Sequence, residues 1–134
     1  MNISELNLLV VEDNEFQRQL IVHMLRTMGV KAIFEAGDGK QALAVLRNEG
    51  GSPVDIVICD LSMPEMDGLE FLRQMSRENH HPSVVVASAL DDMMLSSADR
   101  MAKMHGIRLL GAMQKPITLS QLKDLLAKHD KGEK

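Results

Sequence analysis

Apolar residues gather in five short runs, at 6–11, 31–36, 54–59, 83–88 and 107–113, spaced at fairly even intervals along the chain. Several are rich in Val and Ile and too short for helices, so they read as strands. Within them Leu8-Leu9-Val10-Val11, Asp55-Ile56-Val57-Ile58-Cys59 and Val84-Val85-Val86-Ala87 show almost no alternation of apolar and polar positions. Strands of a parallel sheet covered on both faces need that pattern, because each side chain meets a packed layer whichever way it points.

The stretches between the runs have helical spacing. Phe16, Leu20, Ile21, Met24, Leu25 and Met28 form one apolar stripe that stops at Gly29, a residue suited to the position after a helix end. Asp38 is placed to cap a second helix, with Gln41 three residues on and Ala42, Leu43 and Leu46 facing inward. Leu69, Phe71, Leu72 and Met75 mark a third. Met94, Leu95, Ala98, Met101 and Ala102 mark a fourth that begins at Asp91. Leu119, Leu122, Leu125 and Leu126 mark a fifth, capped by Thr118 or Ser120. The order is strand then helix, five times over, which specifies a doubly wound α/β fold with right-handed crossovers. Residues 1–129 are expected to form one domain, and 130–134 a polar tail or the start of a linker.

Composition narrows the chemistry. The 134 residues suit one domain, 45% are apolar and the net charge is −4. That balance, with no clustered basic face, argues against direct nucleic-acid binding and against an anionic membrane surface. No apolar run is long enough to cross a bilayer, and the N-terminus lacks the pattern of a signal peptide. Cys59 is the single cysteine, which suits a reducing compartment, so a cytoplasmic location is expected. The eleven methionines, beside only three aromatic residues, read as adaptable core filler.

Ligands of such sheets bind beyond the carboxyl ends of the strands. The first strand ends in Glu12-Asp13 and the third in Asp60. In the flavodoxin-like order 2-1-3-4-5 these strands are neighbours, so three carboxylates converge. One acid at a strand end is usually a helix cap. Three together repel unless a proton or cation intervenes. Mg²⁺ is the best match, with Mn²⁺ as an alternative, because it takes one or two carboxylates and completes its shell with water and phosphate oxygens. The fourth strand adds Ser88 and the fifth Lys115-Pro116. Acids, cation, hydroxyl and ammonium together suit an aspartyl phosphate: Asp60 attacks phosphorus, Lys115 and the metal neutralise the transferring oxygens, and Ser88 binds the product phosphoryl group.

The segments Leu9-Val10-Val11-Glu12-Asp13-Asn14, Glu35-Ala36-Gly37-Asp38-Gly39-Lys40-Gln41-Ala42-Leu43, Asp60-Leu61-Ser62-Met63-Pro64-Glu65-Met66-Asp67-Gly68 and Lys115-Pro116 resemble the receiver domains of two-component response regulators over residues 6–128. The resemblance implies that Asp60 is the phosphoacceptor. It implies that Glu12, Asp13, Asp60 and the backbone carbonyl of Ser62 surround Mg²⁺, with Glu12 acting directly or through water. Lys115 pairs with the phosphoryl group, Ser88 is the hydroxyl switch, and Pro64 and Gly68 shape the loop after Asp60. A histidine kinase or phosphotransfer protein is the implied donor. The implied output is a change in the face formed by the fourth helix, fifth strand and fifth helix. Ala89 is expected to keep the site open to the kinase, and Leu90 to shield the phosphoryl group from water.

Two features depart from that family. The position three residues before Lys115, often Tyr or Phe, is Ala112, which excludes an aromatic rotamer switch there and leaves Met113 as the candidate substitute. The segment from Ser88 to Lys115 is also about one helical turn longer than in a compact receiver, so the fourth helix or its following loop is expected to be extended. Both features resemble receivers joined to EAL-type cyclic-di-GMP phosphodiesterase domains.

Other readings fit less well. Gly37-Asp38-Gly39-Lys40-Gln41-Ala42 matches a dinucleotide fingerprint, but it follows the second strand and would set Asp38 against a pyrophosphate. There is no P-loop motif. A haloacid-dehalogenase-type phosphatase would want an acid where Ser62 stands. The histidines (His23, His80, His81, His105 and His129) lack zinc-ligand spacing, and His80-His81 reads as a solvated loop. A phosphorylation switch therefore leads, and a phosphate-independent interaction module on the same scaffold is the alternative.

Overall fold

The computed structural model describes residues 3–48, 53–61, 68–88 and 92–131. After a short 3-10 turn (Ile3–Glu5), the chain runs β1 (Asn7–Val11), α1 (Glu15–Thr27), β2 (Ala32–Ala36), α2 (Gly39–Leu46), β3 (Ile56–Asp60), α3 (Gly68–Arg77), β4 (Ser83–Ser88), α4 (Asp92–His105), β5 (Arg108–Gln114) and α5 (Leu119–Lys131). The five strands are all parallel and lie in the order β2-β1-β3-β4-β5. The doubly wound architecture read from the sequence is the one observed.

The continuously apolar strands explain the layering. Residues of β1, β3 and β4 alternate between two cores. Leu8, Val10, Ile56, Ile58, Val85 and Ala87 pack beneath α1 and α5, against Ile21, Leu25, Leu122 and Leu126. Leu9, Val11, Val57, Cys59, Val84 and Val86 pack on the opposite face, against Leu43, Phe71, Leu72, Met75 and Ala98. Because both faces are covered, neither alternate position can be polar.

Helix ends follow local chemistry. Asn14 caps α1 by accepting from the Gln17 N–H at 2.9 Å. Asp38 caps α2 by accepting from the Gln41 N–H at 2.8 Å, while the Gln41 side chain accepts from the Gly37 N–H. Thr118 caps α5 through the Gln121 N–H. Gly29 ends α1 with φ of 99°, a backbone region that other L-residues enter at a cost.

Two expectations change. Phe16 and Leu20 are not in the core; they are 70% and 40% exposed. Phe16 precedes the fully buried Leu25 by nine residues, about two and a half turns, so the two side chains leave opposite sides of α1. Val22, which the stripe omitted, is buried instead.

Between Ser88 and Lys115 the described residues form α4 and β5 with a short loop between them. α4 has 14 residues, the longest of the described helices, and only Gly106 and Ile107 separate it from β5. β5 also contains a bulge: Leu109 pairs with Val84, but Gly111 pairs with Val85, so Leu110 is an extra residue. The bulge turns both Leu110 and Met113 toward the α1/α5 core and leaves Ala112 exposed on the other face. Met113 is therefore a core residue and cannot stand in for an aromatic at position 112. The residues assigned to open or shield the site, Ala89 and Leu90, and the expected helix start Asp91, lie outside the described residues.

His129, the last residue of the expected domain, is buried at the far end of the sheet from the acids. Its Nδ1 lies 2.8 Å from Oγ of the equally buried Ser83, and Arg108 donates to its carbonyl at 2.5 Å. These bonds fasten the last turns of α5 to the first residues of β4 and β5. Replacing His129 by Ala should lower the unfolding free energy by about 1–3 kcal/mol, as expected when a buried hydrogen-bond partner is removed. Amide exchange should accelerate first in the last turns of α5. Unchanged denaturant midpoint and exchange would show that the bond contributes nothing.

Candidate functional site

The strand register brings the expected site residues to one edge of the sheet. Val11 is level with Cys59, so the next residues, Glu12 and Asp60, stand side by side at the ends of β1 and β3. Asp60 pairs with Ala87, and Ser88 with Gln114, so the end of β4 and Lys115 after β5 reach the same edge. Carboxylate oxygens of Glu12, Asp13 and Asp60 all lie within 4.8 Å of one another. The convergence expected from the order 2-1-3-4-5 is thus observed for Glu12, Asp13, Asp60 and Lys115. For Ser88 the backbone sits at this edge. Ser62, with its carbonyl, and Pro64 fall outside the described residues.

The three acids sit in different surroundings. Glu12 and Asp60 are 1% and 4% exposed, whereas Asp13 is open to solvent. Lys115 directly follows β5, its bond to Pro116 is cis, and its Nζ donates to Glu12 Oε1 at 3.0 Å and to Asp60 Oδ2 at 3.4 Å. The Asn14 N–H donates to the other Glu12 oxygen at 3.1 Å. Glu12 is held at both oxygens, and Lys115 bridges the two buried acids.

Burial dominates the ionisation of Glu12. It pushes the carboxyl up to about 7, assisted by the charge of Asp60 and opposed by Lys115 and the Asn14 N–H. Burial pulls the Lys115 ammonium the other way, but Glu12 and Asp60 together outweigh it and hold it above its ordinary value. We favour a charged Lys115 that leans on Asp60 whenever Glu12 holds a proton, because its Nζ touches both acids. An oxygen-seeking divalent cation fits this donor set: it would meet three carboxylates, one of them solvent-facing, in a site short of positive charge.

The backbone supporting Asp60 is tightly packed. Leu61 donates to the Ala87 carbonyl at 3.0 Å, and Gly68 donates to the Leu61 carbonyl at 3.1 Å. A Cβ on Gly68 would come within 2.6 Å of both the Asp60 carbonyl oxygen and the Leu61 Cα. Backbone atoms cannot yield as a flexible side chain does, so glycine is required here by contact. Gly68→Ala should destabilise the fold by about 1–3 kcal/mol, the usual cost of overpacking. Chemical denaturation checks this, and a loss below about 0.5 kcal/mol would mean that the loop after Asp60 relaxes freely.

One supporting residue had no signal in the sequence. Arg18 of α1 donates from Nη1 to the Glu12 carbonyl at 2.9 Å and from Nε to Glu35 Oε1 at 3.0 Å. Gln19 donates to the same Glu35 oxygen at 2.7 Å. Neither the separation of Arg18 from Glu12 nor that from Glu35 belongs to a motif, and the Glu35 contact exists only once β2 lies beside β1.

Comparison with known proteins agrees with this geometry. The family model described as "Response regulator receiver domain" matches residues 8–127. The chain is 39% identical over 128 residues to the cyclic di-GMP phosphodiesterase RocR of Pseudomonas aeruginosa, covering 96% of this chain and 32% of RocR. It is 34% identical over 127 residues to a probable chemotaxis protein CheY of Rhizobium etli, covering 92% of each. The fold matches the CheX–CheY–BeF3–Mg complex from Borrelia burgdorferi with a TM-score of 0.79 and 22% identity, over 92% of this chain and 87% of that one. The chain spans about a third or less of the length of several curated relatives, RocR among them. Among the described residues, no helix is long and apolar enough to cross a membrane. With the family model spanning most of the chain and the acids and lysine meeting at one sheet edge, the chain belongs to the response regulator receiver domains of two-component signalling.

Proposed function

We propose that this receiver domain is a phosphorylation-controlled switch whose acceptor is Asp60. The observation that carries the reading is the Lys115 ammonium seated between the buried Glu12 and Asp60, with Asp13 completing a compact acid cluster. A carboxylate Oδ of Asp60 attacks phosphorus, a P–O bond forms, and the P–N bond to a donor histidine breaks, leaving its electron pair on the imidazole. Lys115 is close enough to Asp60 to neutralise charge on the transferring oxygens. Mg²⁺, or Mn²⁺, would be held by Glu12, Asp13 and Asp60 and, when bound, supplies the remaining positive charge the phosphoryl group requires.

The donor is a histidine kinase or phosphotransfer protein. Phosphorylation draws Ser88 toward the phosphoryl group and shifts β4 and α4, altering the α4–β5–α5 face presented to an output domain or partner. Ala112 leaves no aromatic ring to swing on that face. Similarity to RocR makes an EAL-type phosphodiesterase domain the leading output, carried on the same polypeptide beyond α5. The net charge of −4 and the lack of a clustered run of basic residues in the sequence favour protein partners over nucleic acid or membrane. Intact-mass measurement after incubation with acetyl phosphate, with and without Mg²⁺, tests the reading. A metal-dependent gain of one phosphoryl group supports it, and no gain under any condition overturns it.

A further inference from the structure

Glu12 is fixed at three atoms. Its side-chain oxygens take Lys115 and the Asn14 N–H, and its backbone carbonyl takes Arg18 Nη1 at 2.9 Å. The third contact orients the peptide plane between Glu12 and Asp13, and that plane sets the direction in which Asp13 leaves the end of β1. Asp13 is the exposed member of the acid cluster, so it has less packing around it to fix its direction than Glu12 or Asp60.

Arg18 is itself well anchored. Its side chain is 17% exposed, and its Nε is paired with Glu35, a residue of the edge strand β2 that also accepts from Gln19. Glu35 lies level with Val10 in the β1–β2 register, two residues before Glu12. The guanidinium therefore spans three elements: it is carried by α1, braced on β2 and bonded to the end of β1. A planar fork can satisfy both acceptors at once, which a lysine ammonium on a flexible stem does poorly. Its charge is offset by Glu35, so it grips the acid loop without competing with a cation for the acid cluster.

We propose that Arg18, braced by Glu35, is a positioning residue for the metal-binding acids: it holds the Glu12–Asp13 peptide so that Asp13 points into the cluster with Glu12 and Asp60. The proposal rests on the phosphoryl-transfer reading above, since it is through the divalent cation that the positioning becomes functional. Groups that orient metal ligands typically govern affinity by about 10- to 100-fold when removed.

The test is a MgCl₂ titration of the isotopically labelled full chain at fixed ionic strength, following the amide shifts of residues 12–14. Thermal midpoints are measured alongside. Arg18→Gln should weaken Mg²⁺ binding by about tenfold or more, with phosphorylation by acetyl phosphate recovering as Mg²⁺ is raised. Arg18→Lys should fall between it and the parent protein. Glu35→Gln, which touches none of the acids, should weaken binding by a smaller factor. A purely structural brace predicts something else: both Arg18→Gln and Glu35→Gln lower the thermal midpoint and leave the Mg²⁺ dissociation constant within about twofold of the parent, which overturns the proposal. If Arg18→Gln does not fold, a folded Arg18→Lys with parental Mg²⁺ affinity overturns it equally. A parent protein that shows no Mg²⁺ response at all removes the phosphoryl-transfer reading first, and this inference with it.

Discussion

Asp60→Asn should abolish the Mg²⁺-dependent gain of one phosphoryl group while leaving the protein folded. Asparagine has nearly the volume of aspartate, so the packing at the end of β3 can be kept. It lacks the anionic oxygen that attacks phosphorus, and a neutral amide oxygen is a poor nucleophile. The substitution also removes one of the two buried acids that Lys115 bridges. Asp60 raises the Glu12 carboxyl through like-charge repulsion, so the variant without metal should be at least as stable as the parent. Intact mass after acetyl phosphate treatment gives the first readout and chemical denaturation the second. Phosphoryl gain persisting in a folded Asp60→Asn protein would place the acceptor elsewhere. No gain in either protein would move the domain to a phosphate-independent interaction module built on the same sheet.

The fold was legible because its main signals are local and repeated. Five apolar runs separated by helical spacing define the topology, and the lack of alternation in β1, β3 and β4 announces coverage on both faces. The acid cluster was legible for a related reason: strand order alone makes the ends of β1 and β3 neighbours, whatever the side chains in between. Features that depend on packing angle or on distant partners were not legible. Phe16 shares a helical spacing with Leu20 and Met24, yet only its angle to Leu25 decides that it faces out. The β5 bulge at Leu110-Gly111 adds one residue and shifts which of the following side chains face the α1/α5 core, and one glycine within an apolar run does not fix that register. Ser83 and His129 are 46 positions apart, and Arg18 meets Glu35 only through sheet formation.

The stability of the metal-free protein should fall as pH rises from about 5 to 8, and Mg²⁺ should restore more stability at pH 8 than at pH 6. The cause is Glu12. Its carboxyl is raised from 4.5 to about 7, first by burial and then by the charge of Asp60, so the folded state holds a proton that the unfolded state has released. That contribution is fully present below the unfolded value of 4.5 and is lost as pH passes through about 7. For an isolated group the shift corresponds to roughly 3 kcal/mol. Mg²⁺ competes with the proton for the same oxygens, so its apparent affinity grows with pH, and with it the stabilisation it confers at a fixed concentration. Glu12→Gln isolates the contribution: it keeps the shape of the side chain, removes the proton, and should flatten the slope that Glu12 causes. Denaturant midpoints at pH 5, 6, 7 and 8, with and without Mg²⁺, decide the matter. An Mg²⁺ gain equal at pH 6 and pH 8, or a slope unchanged in Glu12→Gln, would mean that Glu12 stays ionised beside Lys115 and that the cation displaces no proton when it binds.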